Sequence, residues 1–219
     1  MKMKYKRAAL SATFAVVAAS VVGWAVAGED DGDADHDGSK GRHAFTLSSP
    51  DVPSRSFFAP KFILNGFGCT GGNVSPALEW KNAPPGTQSF SLQVYDPDAP
   101  TGSGFWHWAV YNIPSYVTSL PQGAGNSPAT LPPGSHGGNT DFMDTGATGV
   151  NGNYGGPCPP VGDRPHRYIF TLFALDIPNL EAAAGIPPTG TAGLHGFALN
   201  KGIGAHLLGK ASFTAFFGR

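Results

Sequence analysis

Charge is what this sequence has least of. Charged residues make up 13% of the 219, about half the share of an average soluble domain. No basic face and no RNA-binding aromatic motif stands out, which argues against nucleic acid as a partner. Cysteine is scarcer still. Two residues, Cys69 and Cys158, exclude a four-cysteine zinc site by count. Also missing are a G-x-S-x-G elbow, an H-E-x-x-H pair and a P-loop, so the common hydrolase and nucleotide-binding motifs have no foothold. Ser75 and Ser103 fall in loops, with nothing to set either beside an imidazole.

Backbone punctuation takes the place of charge. Glycine contributes 31 residues and proline 20, yet 41% of the chain is apolar and 11% aromatic. That combination supports a packed core rather than disorder. Many turns with few charges fit a mainly β domain with long loops.

The charges that exist are unevenly placed. Lys2, Lys4, Lys6 and Arg7 open the chain, and Glu29, Asp30, Asp31, Asp33, Asp35 and Asp37 follow an apolar run. Basic head, Ala/Val-rich run and the small-x-small end Ala25-Val26-Ala27 read as a signal peptide over residues 1–27. A retained anchor competes, because the run approaches the ~20 residues needed to span a bilayer. Alanine richness and the A-x-A end favour cleavage, hence an exported, periplasmic or extracellular protein with no stable membrane span. No cysteine follows the run, so a lipid anchor is not expected.

Residues 28–43 read as an acidic flexible tether in which His36 and His43 are solvated, and residues 44–219 as the folded domain. The tether's "DADHDG" imitates half a calcium loop, but the twelfth position is Ala44 rather than a bidentate glutamate, so no metal site is expected there. Export also bears on Cys69 and Cys158, which lie in glycine-rich loops. An oxidising compartment favours a bond between them, with two separate buried thiols as the alternative.

Three runs read as strands. "SFSLQVYD" alternates Phe90, Leu92 and Val94 on one face, as a half-buried strand does. His107 to Ile113 is β-branched and aromatic. His166 to Asp176 is almost continuously apolar, which predicts a central strand. The excursion from Leu120 to Gly162 is too long for a hairpin. A helical period diluted by glycine runs through Leu199, Ile203 and Leu207, and "SFTAFFGR" reads as a closing strand.

The first strand ends at Asp96, where Pro97 and Pro100 stiffen the exit. Alternation points His107 away from Trp106 and Trp108, which are left to packing. His166 and Tyr168 share one face and Arg167 takes the other. An arginine in so apolar a strand needs a partner; Asp98 is the first choice and Asp176 the second. Asp96 then remains for a pocket where strand ends meet the stiff loop "YGGPCPPVGDRP". His136, His195 and His206 have no partner that the sequence identifies.

Together "DPDAPTGSGFWHW", "NVSPALEW" and "GPCPPVGDRPHRYIFTLFALD" resemble the phosphatidylethanolamine-binding protein family, in particular its bacterial Raf kinase inhibitor-like branch, from about Phe45 to Arg219. The resemblance implies a β-sandwich with a small preformed anion pocket, lined here by Asp96, His107, Gly156 with Pro157, His166 and Tyr168. Eukaryotic members carry Trp-His-His where this chain has Phe105-Trp106-His107, so the middle histidine's contact is lost. The expected function is non-catalytic binding of phosphate or a phospholipid head group such as phosphoethanolamine, without a cofactor. The two imidazoles, the phenol and a backbone N–H would donate, and Asp96 would favour a protonated imidazole. Two other readings stand beside it. One is a modulator of another protein, such as a protease inhibitor; a cytosolic kinase is out of reach of an exported chain. The other is a metal-assisted hydrolase built on Asp96, His107 and His166.

Overall fold

The computed structural model describes residues 43–143 and 145–219. The proposed signal peptide, nearly all of the tether and its calcium-like hexapeptide lie outside the described residues. Within them the strands are β1 (Thr46–Ser48), β2 (Asn65–Gly66), β3 (Cys69–Thr70), β4 (Leu78–Lys81), β5 (Ser89–Asp96), β6 (Phe105–Pro114), β7 (Ser119–Leu120), β8 (His136–Gly137), β9 (His166–Leu175) and β10 (Leu207–Phe217). Two short helices, α1 (Leu180–Ala184) and α2 (Ala192–Phe197), lie between β9 and β10.

The main sheet has the order β10-β9-β5-β6-β8 and a smaller one the order β1-β4-β7, every pairing antiparallel. Alternation in β5 turns Phe90, Leu92 and Val94 towards the small sheet, where they meet Leu47, Leu78 and Trp80. Phe170 and Phe213, from β9 and β10, complete that core with stacked rings. The fold is therefore mainly β, two sheets closing over one apolar layer.

β5 is not half-buried. Ser91 and Gln93, on its other face, are also covered, because the helical segment packs there through Leu180, Ala192, Leu199 and Ile203 against Tyr111, Phe173 and Leu175. The helical period through Leu199 and Ile203 does mark this buried side. It stops sooner than the sequence predicts, however. α2 gives way to a π-helical turn at Ala198–Gly202 and a 3₁₀ turn at Gly204–His206, and Leu207 already belongs to β10. Gly202 and Gly204 are poor helix formers, and the wide turn keeps Leu199 and Ile203 on the sheet. The closing strand thus begins five residues before Ser212 and pairs with β9 along its length.

A bulge in β6 shapes the far end of this layer. Phe90 pairs with Ile113 but Leu92 with Val110, so Tyr111 and Asn112 together oppose Ser91. Asn112 takes φ 57°, which asparagine tolerates better than most residues. Its amide oxygen and nitrogen both bond the start of α1, accepting from the Leu180 N–H at 2.9 Å and donating to Glu181 Oε2 at 2.7 Å. Glu181 is buried and also meets His195 Nε2 at 3.2 Å and His136 Nε2 at 3.0 Å, the latter close but poorly aligned. These are the partners of two histidines that the sequence leaves unassigned; the third, His206, binds Asp176 at 2.8 Å. Burial pushes the Glu181 carboxyl up, but His136, His195 and Asn112 outweigh it and hold the pKa well below the usual range. Glu181→Ala should destabilise the protein by about 3 kcal/mol, read in urea unfolding, and leave the site at the opposite end of the sheet intact. An unchanged midpoint would show that the cluster does not hold the helices.

Candidate functional site

Three strand ends meet at one end of the main sheet. Asp96 closes β5 and pairs with Phe105, which opens β6; His166 opens β9 beside them. The turn leaving β5 carries two carboxylates that face different ways. Asp98 accepts from Arg167 Nε at 2.8 Å, Nη2 at 2.9 Å and the Arg167 backbone N–H at 3.0 Å, with Arg164 adding a contact at 3.1 Å. Arg167 draws the Asp98 carboxyl down to about 2. The first-choice partner is thus the one found. The arginine is not buried, though: its side chain is 50% exposed, on the solvent side of β9.

Asp96 faces inwards. It is 2% exposed, its Oδ1 accepts the Asp98 N–H at 2.8 Å and its Oδ2 lies 2.7 Å from His166 Nδ1. The other ring nitrogen of His166 lies 3.3 Å from Asp163 Oδ2. His166 and Tyr168 share the inner face, as their spacing predicts.

His107 arrives by a different route. Val94 pairs with Trp108 and Tyr95 with Trp106, so His107 is an extra residue in a second bulge. Simple alternation fails here. Trp106 packs on Tyr95 on the helix side, with ring centroids 4.4 Å apart, whereas Trp108 sits in the core between the sheets against Tyr154. The bulge re-aims the histidine between them, and its ring packs edge-on to Tyr168 at 5.0 Å and Phe142 at 5.4 Å. Nδ1 donates to the Gly155 carbonyl at 2.9 Å, since a carbonyl only accepts. Nε2 is left 4.0 Å from Asp96 Oδ2. Burial pulls the His107 pKa down, outweighing Gly155, Asp96 and Asp141, which raise it. The protonated form expected beside Asp96 is therefore disfavoured in the unliganded protein.

These groups surround a recess of about 140 Å³ that Asp96, His107, His166 and Tyr168 line. Its walls are apolar: Leu64 and Phe67, Phe105, Phe142, and Cys158 to Pro160. Gly156 and Pro157 are not among the lining residues. They stand behind the wall, where the Gly156 N–H donates to Asn73 Oδ1 at 2.8 Å and the Pro157 carbonyl accepts from Leu64 at 3.2 Å. A Cβ on Gly156 would come within 2.2 Å of the Phe62 carbonyl oxygen, so packing explains this glycine. Cys69 and Cys158 are bonded, with Cα atoms 6.0 Å apart, which replaces the reading as separate thiols. The bond ties the hairpin bearing Phe67 to the proline wall.

Phe142 and Leu64 line the recess, and the sequence reading missed both. Phe142 lies in the long excursion, where no periodicity announces a buried side chain. Its ring fills the space that a side chain on Gly155 would take: a Cβ there would come within 2.1 Å of it. The Gly-Gly pair was the available signal.

The phenol of Tyr168 completes the base. The residue is 1% exposed, and its hydroxyl has no hydrogen-bond partner among the described residues. Burial, then Asp96, push its pKa far up, so the hydroxyl keeps its proton. A two-histidine, one-carboxylate metal site fits this geometry poorly, because both ring nitrogens of His166 face carboxylates and His107 Nδ1 is spent on Gly155.

The profile of phosphatidylethanolamine-binding proteins matches residues 48–218. The chain is 43% identical over 158 residues to the UPF0098 protein YbcL of Escherichia coli, covering 72% of this chain and 80% of that one. With E. coli YbhB it shares 41% over 171 residues, covering 78% and 98%. It is 35% identical over 126 residues to a putative lipoprotein, LppC, of Mycobacterium tuberculosis, covering 57% of this chain and 52% of that one. The crystal structure of E. coli YbcL superposes with a TM-score of 0.69 at 40% identity, covering 80% of this chain and 98% of that one. The profile match and these likenesses agree: the chain belongs to the phosphatidylethanolamine-binding protein family.

Proposed function

We propose that the protein is a non-catalytic receptor for a small oxyanion, phosphate or a phosphorylated head group such as phosphoethanolamine, held between Asp96, His107, His166 and Tyr168. Gly156 and Pro157 serve it indirectly, by fixing the wall. The observation that carries this reading is the Tyr168 hydroxyl, a buried donor without an acceptor among the described residues, on a side chain that lines the recess. An unmet buried polar group costs about 1–3 kcal/mol, and a ligand oxygen would relieve it. The rigid apolar walls support binding rather than turnover, because little ordering is needed when a ligand enters.

Export is part of the proposal. The Cys69–Cys158 bond supports an oxidising compartment, and the likeness to a putative lipoprotein points to the cell envelope. Among the described residues no helix is long and apolar enough to cross a membrane. Sequencing the N-terminus of the protein recovered from its producing cells tests the cleavage after Ala27.

Tyr168→Phe separates the binding role from the structural one. Phosphate affinity should fall about tenfold, the worth of one hydrogen bond, while thermal stability holds or rises because an unpaired hydroxyl is gone. Undiminished affinity would remove Tyr168 from the site. His107→Ala should abolish binding altogether, with the circular dichroism spectrum unchanged.

The His107 shift fixes the sign of the pH effect. Its folded pKa lies below the ordinary 6.5, so the unfolded chain binds more protons there. His107's contribution to stability is complete above about pH 6.5 and declines as pH falls below it. An anion beside Nε2 favours the imidazolium and opposes that decline. Phosphate affinity should therefore rise, and the ligand's stabilising effect grow, as pH drops from about 7.5 to about 5.5. Thermal shifts at several pH values read this out; tighter binding at the higher pH would overturn it.

A further inference from the structure

Among the described residues, no permanent cation stands in the recess read above as an oxyanion site. Neither lysine nor arginine is among its described lining residues, and Arg164 and Arg167 are committed to Asp98. What stands at its base is a carboxylate. Asp96 is 2% exposed and spends its oxygens on the Asp98 N–H at 2.8 Å and on His166 at 2.7 Å. A carboxylate has about four lone-pair sites, so acceptor capacity remains on the recess side. The gap of 4.0 Å between Asp96 Oδ2 and His107 Nε2 leaves those two groups without a direct bond across it. The base thus offers acceptors as well as the Tyr168 donor.

An oxyanion with no proton, seated here, would place its charge against that of a desolvated carboxylate, where repulsion is several times what it is in water. An oxyanion that carries a proton makes an O–H···O⁻ bond instead, among the strongest hydrogen bonds available. We propose that Asp96 is the specificity determinant of the site: it admits oxyanions that bear a proton, namely phosphate and phosphate monoesters as monoanions, and rejects sulfate esters and phosphodiesters. A monoester has its second pKa near about 6 and holds a proton in part of the neutral range. A sulfate ester or a phosphodiester has none to give. The occupant is then a free phosphomonoester, such as phosphoethanolamine itself, rather than the diester of an intact phospholipid. The proposal rests on the oxyanion reading of the same recess.

Of the small probes methyl phosphate, methyl sulfate and dimethyl phosphate, only the first can hold a proton near about pH 6. Titrated calorimetrically into the purified protein at one pH near 6, methyl phosphate should bind at least ~100-fold more tightly than either of the others, the scale of penalty when a buried polar group is left facing the wrong partner. Asp96→Asn replaces the charge with an amide that can also donate, and should narrow the ratio to within about tenfold. Equal binding of methyl phosphate and methyl sulfate by the unaltered protein would overturn the proposal and leave the oxyanion reading in place. Binding of none of the three would overturn both. A folded Asp96→Asn protein that still discriminates fully would show that Asp96 is not the determinant. Should that variant fail to fold, dimethyl phosphate binding as tightly as methyl phosphate to the unaltered protein would refute the assignment by itself.

Discussion

The clamp between Asp98 and Arg167 decides which way the neighbouring carboxylate looks. A two-pronged guanidinium contact, reinforced by the Arg167 backbone N–H, pins Asp98 to the outer side of β9. The Asp98 N–H then reaches back to Asp96, two residues earlier, and turns it inwards against His166. Because the arginine head is half exposed, solvent screening discounts the pair as a source of stability. Its worth is positional. A planar fork fixes direction as well as distance, and a lysine at position 167 would hold Asp98 far less definitely.

Much of this arrangement was legible from strict strand periodicity. The spacing of His166, Arg167 and Tyr168 put the first and third on one face, and the apolar run placed β9 inside its sheet. Asp98 as the partner of Arg167 followed from the need to satisfy a guanidinium. Where the period broke, the reading broke with it. His107 and the Tyr111–Asn112 pair each sit in a bulge, and a bulge is a property of two strands in register, invisible in either one alone. The same holds for Glu181, His195 and His136, which meet only when α1, α2 and β8 converge on one side of the sheet. The end of the helix was misplaced for a different reason: three apolar residues at helical spacing fit a π turn followed by a strand as well as a continuous helix.

The stiff stretch before His166 also divides its labour in a way that composition could not show. Gly155 and Gly156 are small because Phe142 and the backbone near Phe62 lie against them. The prolines after Cys158 are the ones that line the recess. Behind them the disulfide joins cysteines separated by 89 positions in the sequence, and Arg219 donates to the Pro159 carbonyl at 2.6 Å. The wall is therefore held from the hairpin, from the chain's end and by its own ring constraints at once.

That redundancy explains how an unpartnered phenol survives in the base. A mobile wall would move to satisfy the Tyr168 hydroxyl, either by collapsing onto it or by turning it towards a carbonyl. Here Asp96 is held by the Asp98 N–H and His166, and the Gly155 carbonyl by His107. The His107 bulge adds a ring packed edge-on to the phenol, which blocks rotation without offering a bond. Unmet hydrogen-bonding capacity is preserved because the groups around it are held in place by other bonds, and a preformed site needs that condition before a ligand arrives.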